Sequence, residues 1–307
     1  MTVVESDTRR GDAMSNPGIR PPAYRLPDEI MLGQVSLQIS DMERSLDYYQ
    51  KILGFRVLHR DGDVATLGAE IGDAPLVELR AVKGTQGAGR HAKLGLYHFA
   101  ILLPTRAALG SFAQHLAGVG AQVGGADHLV SEALYLRDPD GLGIEVYADR
   151  PRESWQVDGQ QLRMATDPLD FPDLVRAANG APWTGLPQGT VMGHVHLHVG
   201  DIDEAAAFYH AGLGLDKVVW QYPGALFLSA GGYHHHLGVN TWAGRGALAA
   251  GETDARLVEW HMVLPSQQDV DAAATSLERS GYEVTHAGDD RLVRDPWGTR
   301  VRLQRDC

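Results

Sequence analysis

Short stretches in which apolar and polar residues alternate, each followed by a pattern of helical period, recur four times along this chain. The first is LGQVSLQI, residues 32–39, whose two-residue period predicts a half-buried strand. Leu46, Tyr49 and Leu53 follow at i, i+3 and i+7, one apolar face of a helix. Asp41 stands where the helix N-cap should be, and Gly54 where a helix ends. The segment MGHVHLHVGDIDEAAAFYHAGLGLDKVV repeats this order with a constant offset of 160. Gln34 falls opposite His194, Asp41 opposite Asp201, Tyr49 opposite Tyr209, and Leu53-Gly54 opposite Leu213-Gly214. Glu204, three residues after Asp201, completes a capping-box arrangement.

Two further segments align with each other through a shared Leu-Pro, and through YLRDPDGLGIEVY against LVRDPWGTRVRLQ. Asp138-Pro139-Asp140-Gly141 predicts a hairpin turn before the strand GIEVY. The expected fold class is therefore α+β, with four βαβββ modules at 30–82, 94–148, 190–242 and 255–305. They group into a first half, 30–148, and a second half, 190–305. The stretch 149–189 joins the halves, carries Pro151, Pro168, Pro172, Pro182 and Pro187, and is too long for a tight connection. Residues 1–29 are polar and rich in Pro and Gly, and are expected to form a disordered arm.

Composition narrows the chemistry. The chain has 307 residues and a net charge of −12, which disfavours nucleic acid or an anionic membrane as a partner. No run approaches the ~18 apolar residues of a membrane span, and the N-terminus lacks the pattern of a signal peptide. The only cysteine is Cys307, so no internal disulfide and no cysteine metal cluster can form. That suits a reducing cytoplasm, the expected location. Any bound metal must be held by carboxylates and by some of the 14 histidines.

The phrases LYHFAILLP, DHLVSEALYLRDPDGLGIEVYADRP, GHVHLHVGD and GGYHHHLGVNTW resemble the vicinal oxygen chelate superfamily, which groups glyoxalases, bleomycin-resistance proteins and extradiol dioxygenases. The resemblance spans about residues 30–305 and is nearest to the four-module catechol 2,3-dioxygenase type. It implies paired modules forming open, cup-shaped mixed sheets, with metal ligands on the first and last strands of each module.

Strand alternation then supplies the cup-facing candidates. Module one offers Gln34 and Glu78, module two His98 and Glu145, module three His194 with the run His234-His235-His236, and module four Glu259 and Arg302. Arg302 stands where module two has Glu145, and a guanidinium has only donors and cannot ligate a cation. Pairing by halves would gather Gln34, Glu78, His98 and Glu145, a set resembling that of zinc glyoxalase I. Pairing inner with inner would gather His98, Glu145 and His194, the two-histidine, one-carboxylate facial set of non-haem Fe(II) oxygenases.

The resemblance to extradiol dioxygenases also implies roles outside the metal shell. Tyr135, ten residues before Glu145, fits a hydrogen-bond donor to substrate, and His128 is the companion histidine, at a shorter spacing than usual. An acid–base histidine is expected on the last strand of module three. His236 is preferred, because it aligns with Glu78, and His235 is the fallback. Trp220, Tyr222, Trp242 and Trp260 are candidates for aromatic contact.

The leading expectation is an oxidoreductase that opens a catechol-type ring with O2, with Fe(II) favoured and Mn(II) or Zn(II) acceptable to the same ligands. The alternatives are a glyoxalase-like metal-dependent isomerase or lyase, and a metal-free protein that binds an aromatic ligand. The sequence does not fix an oligomeric state, and a homo-oligomer is compatible with it.

Overall fold

The computed structural model describes residues 17–69, 74–89 and 93–306. Module one contains β1 (Met31–Ile39), α1 (Met42–Lys51), β2 (Arg56–Asp61), β3 (Val64–Gly68) and β4 (Val77–Ala81). Module two contains β5 (Gly95–Leu102), α2 (Arg106–Gly118), β6 (Gly124–Asp127), β7 (Ser131–Arg137) and β8 (Gly143–Asp149). The connection carries β9 (Val157–Asp158), β10 (Gln161–Leu162), β11 (Asp167–Pro168) and α3 (Phe171–Ala177). Module three has β12 (Val191–His198), α4 (Ile202–Ala205) continuing as a π-helical stretch Ala206–Gly212, β13 (Asp216–Val219), β14 (Ala225–Ser229) and β15 (Leu237–Asn240). Module four has β16 (Arg256–Leu264), α5 (Gln267–Arg279), β17 (Val284–Ala287), β18 (Asp290–Arg294) and β19 (Arg300–Arg305). Asp41 and Asp201 cap their helices, accepting from the backbone N–H of Arg44 and Glu204. Among the described residues no helix is long and apolar enough to cross a membrane.

The modules pair outer with outer and inner with inner. One sheet runs β17-β18-β19-β16-β1-β4-β3-β2, and the other runs β11-β6-β7-β8-β5-β12-β15-β14-β13. Each is joined at its centre by antiparallel first strands, β1 with β16 and β5 with β12. Within each module the first and last strands pair in parallel, as β5 does with β8 and β12 with β15. Three neighbouring strands, β8, β5 and β12, therefore carry Glu145, His98 and His194. Alternation divides their faces: Phe99, Ile101, Ile144, Val146, Val195 and Leu197 are all at most 1% exposed and belong to the apolar core.

The expected disordered arm is corrected for its described part. Arg25 donates twice to the Asp216 carboxylate, Leu26 is buried, and the Leu26 N–H bonds Gly214 O at 2.9 Å. Ile19 bridges to Lys217, so this segment is fastened to module three. A buried leucine and a bidentate ion pair offset the entropy of ordering it. Residues 1–16 of that arm lie outside the described residues.

Two tyrosine–aspartate bonds link modules of different sheets. Tyr209 donates to Asp295 Oδ2 at 2.9 Å, and Tyr49 to Asp138 Oδ2 at 3.4 Å. Burial pushes the Asp138 carboxyl up from 3.8 to about 7, despite backbone N–H bonds from Leu142 and Asp140 that favour its charge. The folded chain thus holds this proton more tightly than the unfolded chain. Its contribution is complete below the unfolded value of 3.8 and is lost as pH rises through about 7. Asp138→Asn should flatten that loss, which is on the order of 2–4 kcal/mol in wild type. Urea unfolding across this pH range checks it, and equal slopes for both proteins would refute it.

Candidate metal centre

Glu145 is the central problem of the inner cup. It lies on β8 at 2% exposure, where an uncompensated carboxylate is costly. Among the described residues no lysine or arginine pairs with it; two imidazoles do. His98 Nε2 on β5 is 2.9 Å from Glu145 Oε2, and His194 Nε2 on β12 is 3.2 Å from the same oxygen. The two Nε2 atoms are 3.4 Å apart. All three residues are buried, and among the described residues they form the one histidine–carboxylate group close enough to hold a metal ion.

These separations suit a cation. Ligands at about 2.1 Å on adjacent octahedral corners stand about 3 Å apart, and on opposite corners about 4.2 Å. All three separations are of the adjacent kind, so the atoms share one face of a coordination sphere and leave the rest open. Among the described residues His194 Nδ1 is buried with no hydrogen-bond partner, while its Nε2 faces His98 and Glu145. Burial alone would raise the Glu145 carboxyl, but His194 and His98 outweigh it and hold it well below its ordinary range. Burial lowers His194 from 6.5 to about 4. Both shifts favour the ionised carboxylate and neutral imidazole that ligate metals.

The glyoxalase-like set is not assembled. Gln34 and Glu78 belong to the other sheet, where the Ser36 hydroxyl donates to Glu78 at 3.0 Å and Arg80 pairs with it. In that outer cup Glu259 is bound by Arg302 Nε at 2.6 Å and His261 Nε2 at 3.1 Å. Burial would raise this carboxyl; His261 and Arg302 bring it down to about 2. Arg302, with Arg300 Nη1 at 3.3 Å from the other carboxylate oxygen, occupies the position that a metal would need.

A cavity of about 450 Å³ opens beside the triad. Tyr135, His128, Tyr222 and Trp242 line it, as do His98 and Glu145. Trp260 is fully buried, Trp220 packs against the core, and neither lines the cavity. Tyr135 pairs with Glu145 across β7 and β8, and its hydroxyl is 2.6 Å from His128 Nε2. His128 Nδ1 lies 2.6 Å from Ala165 O, which can only accept, so that nitrogen is the donor. A neutral His128 then accepts from Tyr135, whose oxygen remains free to accept. Leu129, at φ 68°, sits in the left-handed region, and this strained turn carries His128 toward the cavity.

The preference for His236 over His235 is corrected. His236 Nδ1 meets Ser229 Oγ at 3.1 Å and the Ala230 N–H at 3.3 Å, and the residue borders a separate cavity of about 550 Å³. His235 lines the cavity beside the triad, its ring 4.1 Å from that of His194. The cause is local: β15 begins only at Leu237, so period-two alternation does not govern 234–236.

His196, an alternative to His194 on the same strand face, also lines the cavity, as does Tyr97, which the strand pattern did not single out. A register shift against β12 leaves Tyr97 as an extra residue on β5, turning it to the same side as His98, and a strand-period reading does not contain that bulge. His196 and His198 share the His194 face, but each is engaged by Asn240, at 2.9 and 2.7 Å.

The family model of the Glyoxalase/Bleomycin resistance protein/Dioxygenase superfamily matches residues 31–146 and 191–303. The chain belongs to this superfamily. It is 43% identical over 272 residues to the catechol-2,3-dioxygenase of Bacillus subtilis strain 168, covering 88% of this chain and 95% of that one. A crystal structure of a candidate dioxygenase from Bacillus subtilis subsp. subtilis str. 168 matches with a TM-score of 0.64 at 16% identity, covering 92% of this chain and 86% of the other. Glyoxalase I from Zea mays matches with a TM-score of 0.55 at 18% identity, covering 90% and 92%. These two structural likenesses concern the fold.

Replacing His98, Glu145 or His194 singly by Ala should remove most of the metal bound by the purified, metal-loaded protein. Gln34→Ala and Glu78→Ala should retain it. Elemental analysis decides, and loss in the latter pair alone would move the centre to the outer cup.

Proposed function

We propose that this protein is a metal-dependent extradiol dioxygenase that cleaves a catechol-type aromatic ring with O2, holding Fe(II) through His98, Glu145 and His194. Mn(II) and Zn(II) suit the same donor set. The carrying observation is the facial convergence of three buried ligand atoms beside an aromatic-lined cavity that His98 and Glu145 line. The 43% identical relative supports the same reading.

When bound, iron supplies electron exchange between the diol and O2. The chain's own residues orient the substrate and handle its protons. Tyr97, Tyr222, Phe227 and Trp242 give the cavity flat apolar walls suited to an aromatic ring. Burial holds Tyr135 in its neutral form by raising its pKa well above 10, so no phenolate competes with an anionic substrate. The Tyr135–His128 pair lies across the cavity wall from His98 and is placed to bond a substrate oxygen. Burial likewise lowers His235 well below 6.5, keeping it neutral and able to accept a proton from an incoming hydroxyl.

The protein purified anaerobically and loaded with Fe(II) should consume O2 on addition of catechol and form a ring-opened product. Isomerisation of a hemithioacetal by the Zn(II) form, without catechol-dependent O2 uptake, would replace this reading with the glyoxalase one. His235→Phe should keep its metal and lose about 10²–10⁴-fold in kcat, as removal of a general base does. His236→Phe should stay within about threefold, since the ring faces elsewhere; a larger loss in His236→Phe would reverse the assignment.

A further inference from the structure

A hydrogen-bonded chain runs from the cavity-facing imidazole to the end of β8. His235 Nδ1 lies 2.8 Å from His234 Nδ1, and His234 Nε2 lies 2.9 Å from Asp149 Oδ1. Tyr233 donates to the same oxygen at 3.3 Å, and Tyr147 Oη is 2.7 Å from Tyr233 Oη. His234 is fully buried, whereas the Asp149 side chain is 27% exposed. Glu145, Tyr147 and Asp149 alternate along one strand, so the strand that supplies the ligand carboxylate also ends this chain.

With both imidazoles carrying a single N–H, the acceptor at the end fixes the direction of each bond along the way. An ionised carboxylate only accepts, so His234 Nε2 must donate to Asp149. A neutral imidazole has one N–H, which leaves His234 Nδ1 bare. Two nitrogens 2.8 Å apart form a hydrogen bond only if one carries a proton, so His235 Nδ1 is the donor. His235 Nε2 then keeps its lone pair, and no hydrogen bond engages it among the described residues. Tyr233 also donates to this carboxylate oxygen, and with its proton spent there its own oxygen accepts from Tyr147.

We propose that Asp149, acting through His234, holds His235 in the Nδ1–H tautomer and so presents a basic Nε2 to the cavity. Asp149 and His234 are positioning residues, and the proposal rests on the reading of His235 as proton acceptor. It also divides the work of the histidine run: His234 orients, His235 faces substrate, and His236 faces away. The logic is that of any imidazole whose tautomer is set by the partner of its other nitrogen.

The test uses full-length protein loaded with diamagnetic Zn(II) and labelled with 15N in histidine. The His235 signals are assigned by their loss in His235→Phe. Wild type should show the proton on Nδ1 and a bare Nε2. Asp149→Ala, at a partly exposed position, and His234→Phe, which keeps a ring in the buried space, should both shift His235 toward the Nε2–H form. In the Fe(II) enzyme both should lower kcat about 10–100-fold, part of what a general base contributes, with KM within about twofold and metal content unchanged. A wild-type His235 protonated at Nε2, or a tautomer unchanged in both variants, overturns the proposal whether or not the protein turns over catechol. Absence of turnover in wild type with the expected NMR result would instead remove the dioxygenase reading and leave the relay standing. Parallel losses of kcat and metal would make Asp149 and His234 purely structural and overturn their positioning role.

Discussion

A carboxylate at 2% exposure, with no lysine or arginine beside it among the described residues, is the constraint on which the inner sheet depends. Glu145 keeps its charge only because His98 and His194 reach it from the two strands next in order, β5 and β12. That adjacency exists because modules two and three share a sheet. Had the chain paired by halves, β12 would face module four, and Glu145 would have lost one of its two imidazoles. Outer-with-outer pairing is thus a condition of the triad, and the long connection between modules two and three is what permits it.

The two cups show how one architecture takes opposite electrostatic solutions. Both bury a glutamate facing inward, Glu145 on β8 and Glu259 on β16. In the outer cup, Arg302 and His261 answer the charge from within the protein, and Arg302 is itself tied to Asp290 at 2.9 Å. In the inner cup the answer is two imidazoles whose Nε2 atoms crowd one oxygen, an arrangement that leaves coordination positions open. The difference turns on what stands at a last-strand position: a carboxylate in module two, a guanidinium in module four.

Much of this was legible in the residues. The four-module order and the helix caps at Asp41 and Asp201 follow from local periods of two and 3.6, whereas the convergence of His98, Glu145 and His194 is what the family resemblance implies for one of two open pairings. Those periods fail where the backbone leaves regular structure. Tyr97 enters the cavity through a bulge, and Gly193 occupies a second bulge on β12, where an added Cβ would stand 1.9 Å from the buried Tyr147 hydroxyl. His235 rather than His236 lines the cavity because residues 231–236 precede the regular strand that begins at Leu237. Residues 17–29 dock through scattered anchors, among them Ile19, Arg25 and Leu26, which leave no periodic trace in a polar segment.

The connection 149–189 carries more than its length suggests. Its first residue, Asp149, terminates the chain of bonds to His235. Farther along, Met164, Ala165 and Thr166 form part of the cavity wall, and the Ala165 carbonyl fixes which nitrogen of His128 carries the proton. β11 then pairs with β6 and continues the sheet past the Tyr135 hairpin. A segment that had only to span two modules could remain solvated. This one lines the cavity, and two imidazoles that also line it are bonded to its atoms, His128 to Ala165 O and His235 through His234 to Asp149. The stretch that joins the inner modules therefore also supplies hydrogen-bond partners to the cavity that their pairing creates.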